Sequence, residues 1–211
     1  MTDLYLIRHG QTKWNLEKRI QGNMDSPLTE LGQKQARWLS EAYRDRQIDV
    51  IYTSTLDRAF ETAKILRGDR DIEIIRLDEL KEIHFGEWEG LEFMQLKEKN
   101  PEAFDAFRFT PETFRAEGGE TFTEAKARVV GAAEKILEKN RGRKVALVIH
   151  GAILKLLMGY YMDLGINQVW EEPVIRPTSV SHIRFNDFGH EILKFGDVSH
   201  YRESDENSFG I

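Results

Sequence analysis

Two short, unbroken apolar runs, Leu4-Tyr5-Leu6-Ile7 and Val145-Ala146-Leu147-Val148-Ile149, constrain the fold of this chain more than any other feature. A run with no polar alternation suits a strand covered on both faces, the situation of a central strand in a parallel sheet. Each run is closely followed by a His-Gly pair, His9-Gly10 after Arg8 in the first case and His150-Gly151 in the second.

Around these runs the hydrophobic period alternates between strand and helix. Leu31, Leu39, Ala42 and Tyr43 predict a helix over Thr29–Arg46, with Trp38 at its margin. Asp49–Thr53 reads as a strand, Leu56–Leu66 as a helix and Ile72–Ile75 as a third strand. The clearest helical pattern runs from Phe122 to Leu137, with Phe122, Ala125, Val129, Ala132 and Ile136 on one face. Thr121 and Glu124 form a capping-box signature at its start. After the strand Lys144–Ile149 comes a helix over Ala152–Met162, and Val180–Phe185 and Glu191–Phe195 flank a turn like the arms of a hairpin.

This alternation predicts an α/β three-layer sandwich, a mostly parallel central sheet with helices on both faces. A single domain over residues 1–211 is expected. Leu91–Gly119 breaks the rhythm, with five phenylalanines (Phe93, Phe104, Phe107, Phe109, Phe114) interrupted by Pro101, Pro111 and Gly118-Gly119. It is expected to form a small cap-like insertion, bounded at 91–120, over one edge of the sheet. The polar tail after Tyr201 is expected to be loose.

Composition excludes several chemistries. The chain has no cysteine, so disulfides, thiolate catalysis and cysteine-ligated metals are ruled out. Its net charge of −6, from 36 acidic and 30 basic residues, argues against nucleic-acid or anionic-membrane partners. The N-terminus lacks the basic and long apolar regions of a signal peptide, and a cytoplasmic protein is expected. No metal-ligand spacing is apparent, and no cofactor is expected.

In open α/β sheets, ligands bind in the crevice at the carboxyl ends of the strands. Two strands here deliver a His-Gly pair to that edge, and glycine permits close approach of backbone to ligand. A histidine alone at a strand end is more often merely polar; two, one with an adjacent arginine, favour a site. Arg8 and Arg58, the latter just beyond the second strand, offer planar forks for phosphate oxygens. A candidate proton donor lies at Glu82, yet Glu79, Glu87 and Glu89 are close by. Spacing does not choose among them.

The run Leu6-Ile7-Arg8-His9-Gly10-Gln11-Thr12-Lys13-Trp14-Asn15 resembles the signature of the histidine phosphatase superfamily, the phosphoglycerate-mutase-like group. The resemblance continues through Gln21-Gly22-Asn23-Met24-Asp25-Ser26-Pro27-Leu28-Thr29, Ser54–Ala59 with Thr62-Ala63, Leu80–Gly90, Gly118–Thr121 and His150-Gly151, in family order. It implies His9 as the nucleophile that carries a phosphohistidine and Glu82 as the general acid. Arg8, Arg58 and His150, the last expected as a cation, would complete the phosphate pocket. Asn15, Gln21, Gly22 and Gly151 would contact substrate.

The resemblance implies a metal-independent phosphatase acting on small phosphomonoesters. Glu82-Ile83-His84-Phe85-Gly86-Glu87-Trp88-Glu89-Gly90 is similar to the broad-specificity phosphatase branch, not to the mutases, which carry His-Tyr-Gly near the acid. A mutase-type phosphotransferase is the alternative, and a non-catalytic phosphate-binding module a second, although both His9 and Glu82 are present. Either a monomer or a dimer is compatible with the sequence.

Overall fold

The computed structural model describes residues 1–202. Apart from Arg202, which pairs with Glu41, the tail expected to be loose lies outside the described residues. The first apolar run forms β1 (Thr2–Arg8) and the second forms β4 (Lys144–Ile149), both almost wholly buried. With β2 (Val50–Ser54), β3 (Ile74–Leu77), β5 (Val180–Asn186) and β6 (Gly189–Asp197) they build a six-stranded sheet in the order β3-β2-β4-β1-β5-β6. The first four strands run parallel; β5 pairs antiparallel with β1 and β6, as the hairpin pattern predicts.

Alternate side chains of the central strands enter two separate cores. Leu4, Leu6, Val50, Tyr52, Val145, Leu147 and Ile149 face one; Tyr5, Ile7, Ile51, Ala146 and Val148 face the other. Unbroken apolar runs therefore serve both faces, each alternate residue burying against a different helix layer. The first core is covered by α6 (Phe122–Lys139) and α7 (Gly151–Tyr161), the second by α2 (Glu30–Ala42) and α3 (Asp57–Arg67). A four-residue α1 (Lys13–Leu16) precedes α2. This is the expected three-layer arrangement.

Local chemistry sets the helix ends. Thr29 caps α2 by accepting the Gly32 N–H, and Thr121 with Glu124 closes the capping box of α6. Helix α2 stops four residues before the expected Arg46; beyond Ala42 the chain tightens into turns, the Arg46 N–H donating to the Tyr43 carbonyl, which also receives Arg70. Strand β3 lies two residues beyond the expected Ile72–Ile75. Ile72 is buried in the second core, which gives it strand-like character, but pairing with β2 begins only at Ile74.

The insertion is more regular than its prolines suggest. It contains α4 (Phe93–Lys99) and α5 (Pro101–Phe109), with Asn100 ending the first and capping the second. Pro101 begins α5, where its missing N–H costs nothing. The rings of Phe93, Phe104, Phe107 and Phe114 meet each other and those of Phe85, Trp88, Phe122 and Trp170; none of these belongs to an edge strand. The segment is thus packed on the loop before α4, the start of α6 and Trp170. Among the described residues no helix is long and apolar enough to cross a membrane.

Phe107 is fully buried at the centre of this ring cluster. Phe107→Ala is expected to destabilise the protein by about 3–5 kcal/mol. Urea unfolding measures this, and a loss below about 1 kcal/mol would show that the insertion folds independently of that ring.

Candidate active site

The parallel pairing of β1 with β4 puts Arg8 opposite Ile149, and the next N–H, that of His9, donates to the Ile149 carbonyl at 2.9 Å. Beyond this point the chain leaves the two strands in opposite directions. The next long helix after β1 covers one face and α7, directly after β4, covers the other. A crevice opens where adjacent strands diverge in this way. His9 and His150 meet there, with ring centroids 5.2 Å apart.

The His9 ring is fixed by its own backbone. Nδ1–H donates to the Gly10 carbonyl at 2.7 Å, which leaves Nε2 as the basic nitrogen. The Gly10 N–H donates to the Thr62 hydroxyl on α3 at 3.0 Å. No side chain fits at Gly10, since a Cβ would stand 2.6 Å from the Gly32 carbonyl oxygen in the first turn of α2.

Two arginines share the crevice. Arg8 donates through Nη1 to the Ile175 carbonyl at 2.6 Å, and its Nε has no protein partner. Arg58, in the first turn of α3, donates through Nη1 to the Met24 carbonyl at 2.7 Å and to Asp25 at 3.0 Å. Its Nη2 donates to the Gly22 carbonyl at 2.7 Å, and its Nε is likewise unpartnered. Neither ring nitrogen of the fully buried His150 has a partner.

Burial, reinforced by the two guanidiniums, holds His9 and His150 well below the usual histidine range, so both are neutral at pH 7. The positive charge expected on His150 is thus opposed by burial and by both arginines. Burial also lowers Arg8, to about 10, and it remains charged at neutral pH.

Glu82 sits on the segment between β3 and α4, facing the first turn of α7. Its Oε2 accepts the Ala152 N–H at 3.1 Å, and Oε1 accepts those of Ile83 at 3.0 Å and Ile153 at 3.1 Å. The free N–H groups of a helix start suit a carboxylate here. From behind, Arg128 binds the carbonyls of Glu79, Lys81 and Glu82 while pairing with Glu120. Among the acids that spacing left open, Glu79 and Glu87 are exposed, and Glu89 accepts the N–H groups of Asn23 and Phe85.

Arg8, His9, Gln21, Gly22, Arg58, Glu82, Phe85, Ala152 and Trp170 line a small pocket. Gln21 is held by the Thr12 hydroxyl at 3.0 Å, and Gly151 lies where a Cβ would be 3.6 Å from the Arg8 guanidinium carbon. Asn15, His150 and Gly151 are not in that lining; the Asn15 Oδ1 accepts the N–H and hydroxyl of Thr12 at the start of α1. Sequence reasoning did not single out Trp170, which lies in a stretch with no motif, nor the carbonyl of Ile175. Among the described residues no group of three or more His, Cys, Asp or Glu could hold a metal ion.

A sequence model of the histidine phosphatase superfamily (branch 1) matches residues 4–198. The chain belongs to that superfamily. A metal-independent phosphoserine phosphatase of Arabidopsis thaliana is 34% identical over 203 residues, covering 95% of this chain and 83% of the plant protein. A phosphoglycerate mutase-like protein of the same plant is 32% identical over 206 residues, with 96% and 88% covered. Among solved structures, Bacillus stearothermophilus YhfR superposes with a TM-score of 0.92 at 40% identity, covering 95% of this chain and 99% of YhfR. The histidine phosphatase fold and the residues of its signature thus extend across the described chain.

The neutral histidines give this superfamily member a defined acid response. Their values lie below the ordinary 6.5, so the unfolded state binds more protons once pH falls below about 6.5. Stability is therefore full above that pH and decreases on acidification. The urea midpoint is expected to fall between pH 7 and pH 5, and His150→Asn should show a smaller fall. An equal fall in both proteins would remove His150 from the account.

Proposed function

We propose that this protein hydrolyses small organic phosphomonoesters in two steps, with His9 as nucleophile and Glu82 as proton donor and acceptor. The observation that carries this reading is the state of His9. Its Nδ1 is committed to Gly10, which leaves Nε2 as the basic nitrogen, and the ring lines a pocket with two buried guanidiniums, where burial and those charges lower its pKa. In the first step Nε2 attacks phosphorus, the ester P–O bond breaks, and the leaving oxygen takes the proton of Glu82. In the second, water gives its proton to the Glu82 carboxylate as its oxygen attacks phosphorus. The P–N bond breaks, releasing inorganic phosphate and neutral His9.

The unpartnered Nε–H groups of Arg8 and Arg58 and the ring of His150 supply donors for the equatorial oxygens. Such donors are fixed before the reaction and need no reorganisation during it. Gln21 and Gly22 shape the pocket wall, Gly151 leaves room for the Arg8 guanidinium behind it, and Asn15 supports the wall through Thr12. No step requires a metal.

Hydrolysis is favoured over mutase chemistry by the rest of the lining. A mutase must hold a second phosphate, yet beyond Arg8 and Arg58 the lining residues include no further cation, and Phe85 and Trp170 form an apolar wall. We read residues 91–120 as a cap within one domain whose rings support that wall. Relatives named as phosphoserine phosphatases agree with a small phosphorylated substrate. A purely phosphate-binding role would not need both His9 and Glu82.

Acid-labile label should be trapped on the wild-type protein during turnover in the presence of a strong chelator, and His9→Ala should neither trap label nor turn over. Normal turnover by His9→Ala would remove the nucleophile. Glu82→Gln is expected to lose about 10²–10⁴-fold on an alkyl phosphate. With p-nitrophenyl phosphate, whose leaving group needs little proton assistance, the loss should be smaller, limited to the second step. Equal losses on both substrates would argue against proton donation by Glu82.

A further inference from the structure

Glu89 lies beside the pocket without lining it; the residue is half-buried, but its side chain is only 7% exposed. A single oxygen, Oε1, accepts the Asn23 N–H at 2.8 Å and the Phe85 N–H at 3.0 Å. These belong to different loops with different tasks. Asn23 lies between Gly22 and Met24, whose carbonyls receive the two terminal nitrogens of Arg58. Phe85 lies three residues beyond Glu82 and forms part of the pocket wall.

Gly22 is shaped for this contact. Its φ is +51°, and a Cβ there would stand 2.1 Å from Glu89 Oε1. The carboxylate therefore occupies the space that any other residue at position 22 would fill. Its charge also falls on Arg58, which it helps keep protonated against burial.

We propose that Glu89 is a positioning residue, a buried carboxylate that ties the loop aiming Arg58 to the segment carrying Glu82 and Phe85. It sets the distance between the phosphate clamp and the proton donor, and it transfers no proton itself. The proposal rests on the phosphate site described above, but not on turnover. Backbone bonds of Ile20 to Leu91 and Gly90 still join the two segments, so removing the tie loosens only the stretch around Asn23 and Phe85. Displacements on the order of 1 Å in such a site can cost about 10²-fold in rate.

The test compares Glu89→Ala, Glu89→Asp and Glu89→Gln with the wild type. It measures binding of orthovanadate and inorganic phosphate by calorimetry, and kcat/KM for an alkyl and a nitrophenyl phosphate. Glu89→Ala and Glu89→Asp, which remove the oxygen or withdraw it by one methylene, should bind both anions about tenfold or more weakly, a loss of about 1.4 kcal/mol. Both should lose kcat/KM equally on the two substrates. Glu89→Gln keeps an acceptor at the same reach and should recover anion binding to within a few-fold. Should Glu89→Ala fail to fold, the contrast between Asp and Gln decides alone.

Wild-type anion binding by Glu89→Asp would overturn the proposal, since charge without reach would then suffice. So would a larger loss on the alkyl ester, which would make Glu89 a proton donor. If the wild type turns over no monoester but Glu89→Asp still binds phosphate weakly, the phosphatase reading fails and the positioning role stands.

Discussion

Two guanidiniums buried within one crevice are the costliest feature of this molecule. Each charge taken from water costs several kcal/mol, and Arg8 and Arg58 also repel one another. The compensation comes mainly from backbone. Ile175, Met24 and Gly22 supply carbonyls, while Asp25 and, at longer range, Glu82 supply negative charge. Every one of these groups sits on a loop, so the loops at 21–25 and around 175 must be ordered for the cations to be buried. The rigidity of the site is thus a condition of its electrostatics. Donors in the crevice are thereby desolvated and oriented in advance, where their field is strongest.

The sheet supplies the rest of the placement without special devices. Parallel register between β1 and β4 brings Arg8 level with Ile149, and one residue later both chains end in histidine. Because α7 starts immediately at Gly151, its first N–H groups lie within reach of Glu82, a residue from a distant part of the chain. The placement of His9, of His150 and of the anchor of Glu82 therefore follows from one strand pair and one helix start. Changes to the core that shift β1 against β4 would move all three together.

The parts of this arrangement set by short-range rules were legible in the sequence. The apolar runs predict β1 and β4, the capping signature predicts the start of α6, and the two His-Gly pairs predict a shared edge. Parts set by long-range contacts were not. Nothing near Tyr43 announces that Arg70 will bind its carbonyl, and Pro101 reads as a break although it opens a helix. Choosing Glu82 over Glu89 required the family resemblance, because both are acids in one dense cluster. The structure separates them by partners: Glu82 meets the start of α7, Glu89 the loops at Asn23 and Phe85. The lowered pKa of His150 was equally hidden, since it arises from burial beside two arginines far away in sequence.

The aromatic cluster joins this site to the stability of the whole domain. Trp170 donates its Nε1–H to the Phe107 carbonyl at 2.7 Å and packs on the rings of Phe107 and Phe122, while Phe85 packs on the same two rings. Trp170 and Phe85 are also the apolar wall of the pocket. Any ring exchanged to admit a different leaving group is therefore a ring removed from the first core. Interiors packed at crystal-like density do not absorb such a change locally. Specificity in this chain is consequently easier to alter by residues at the rim than by the wall itself, because only rim residues can change without displacing Phe107.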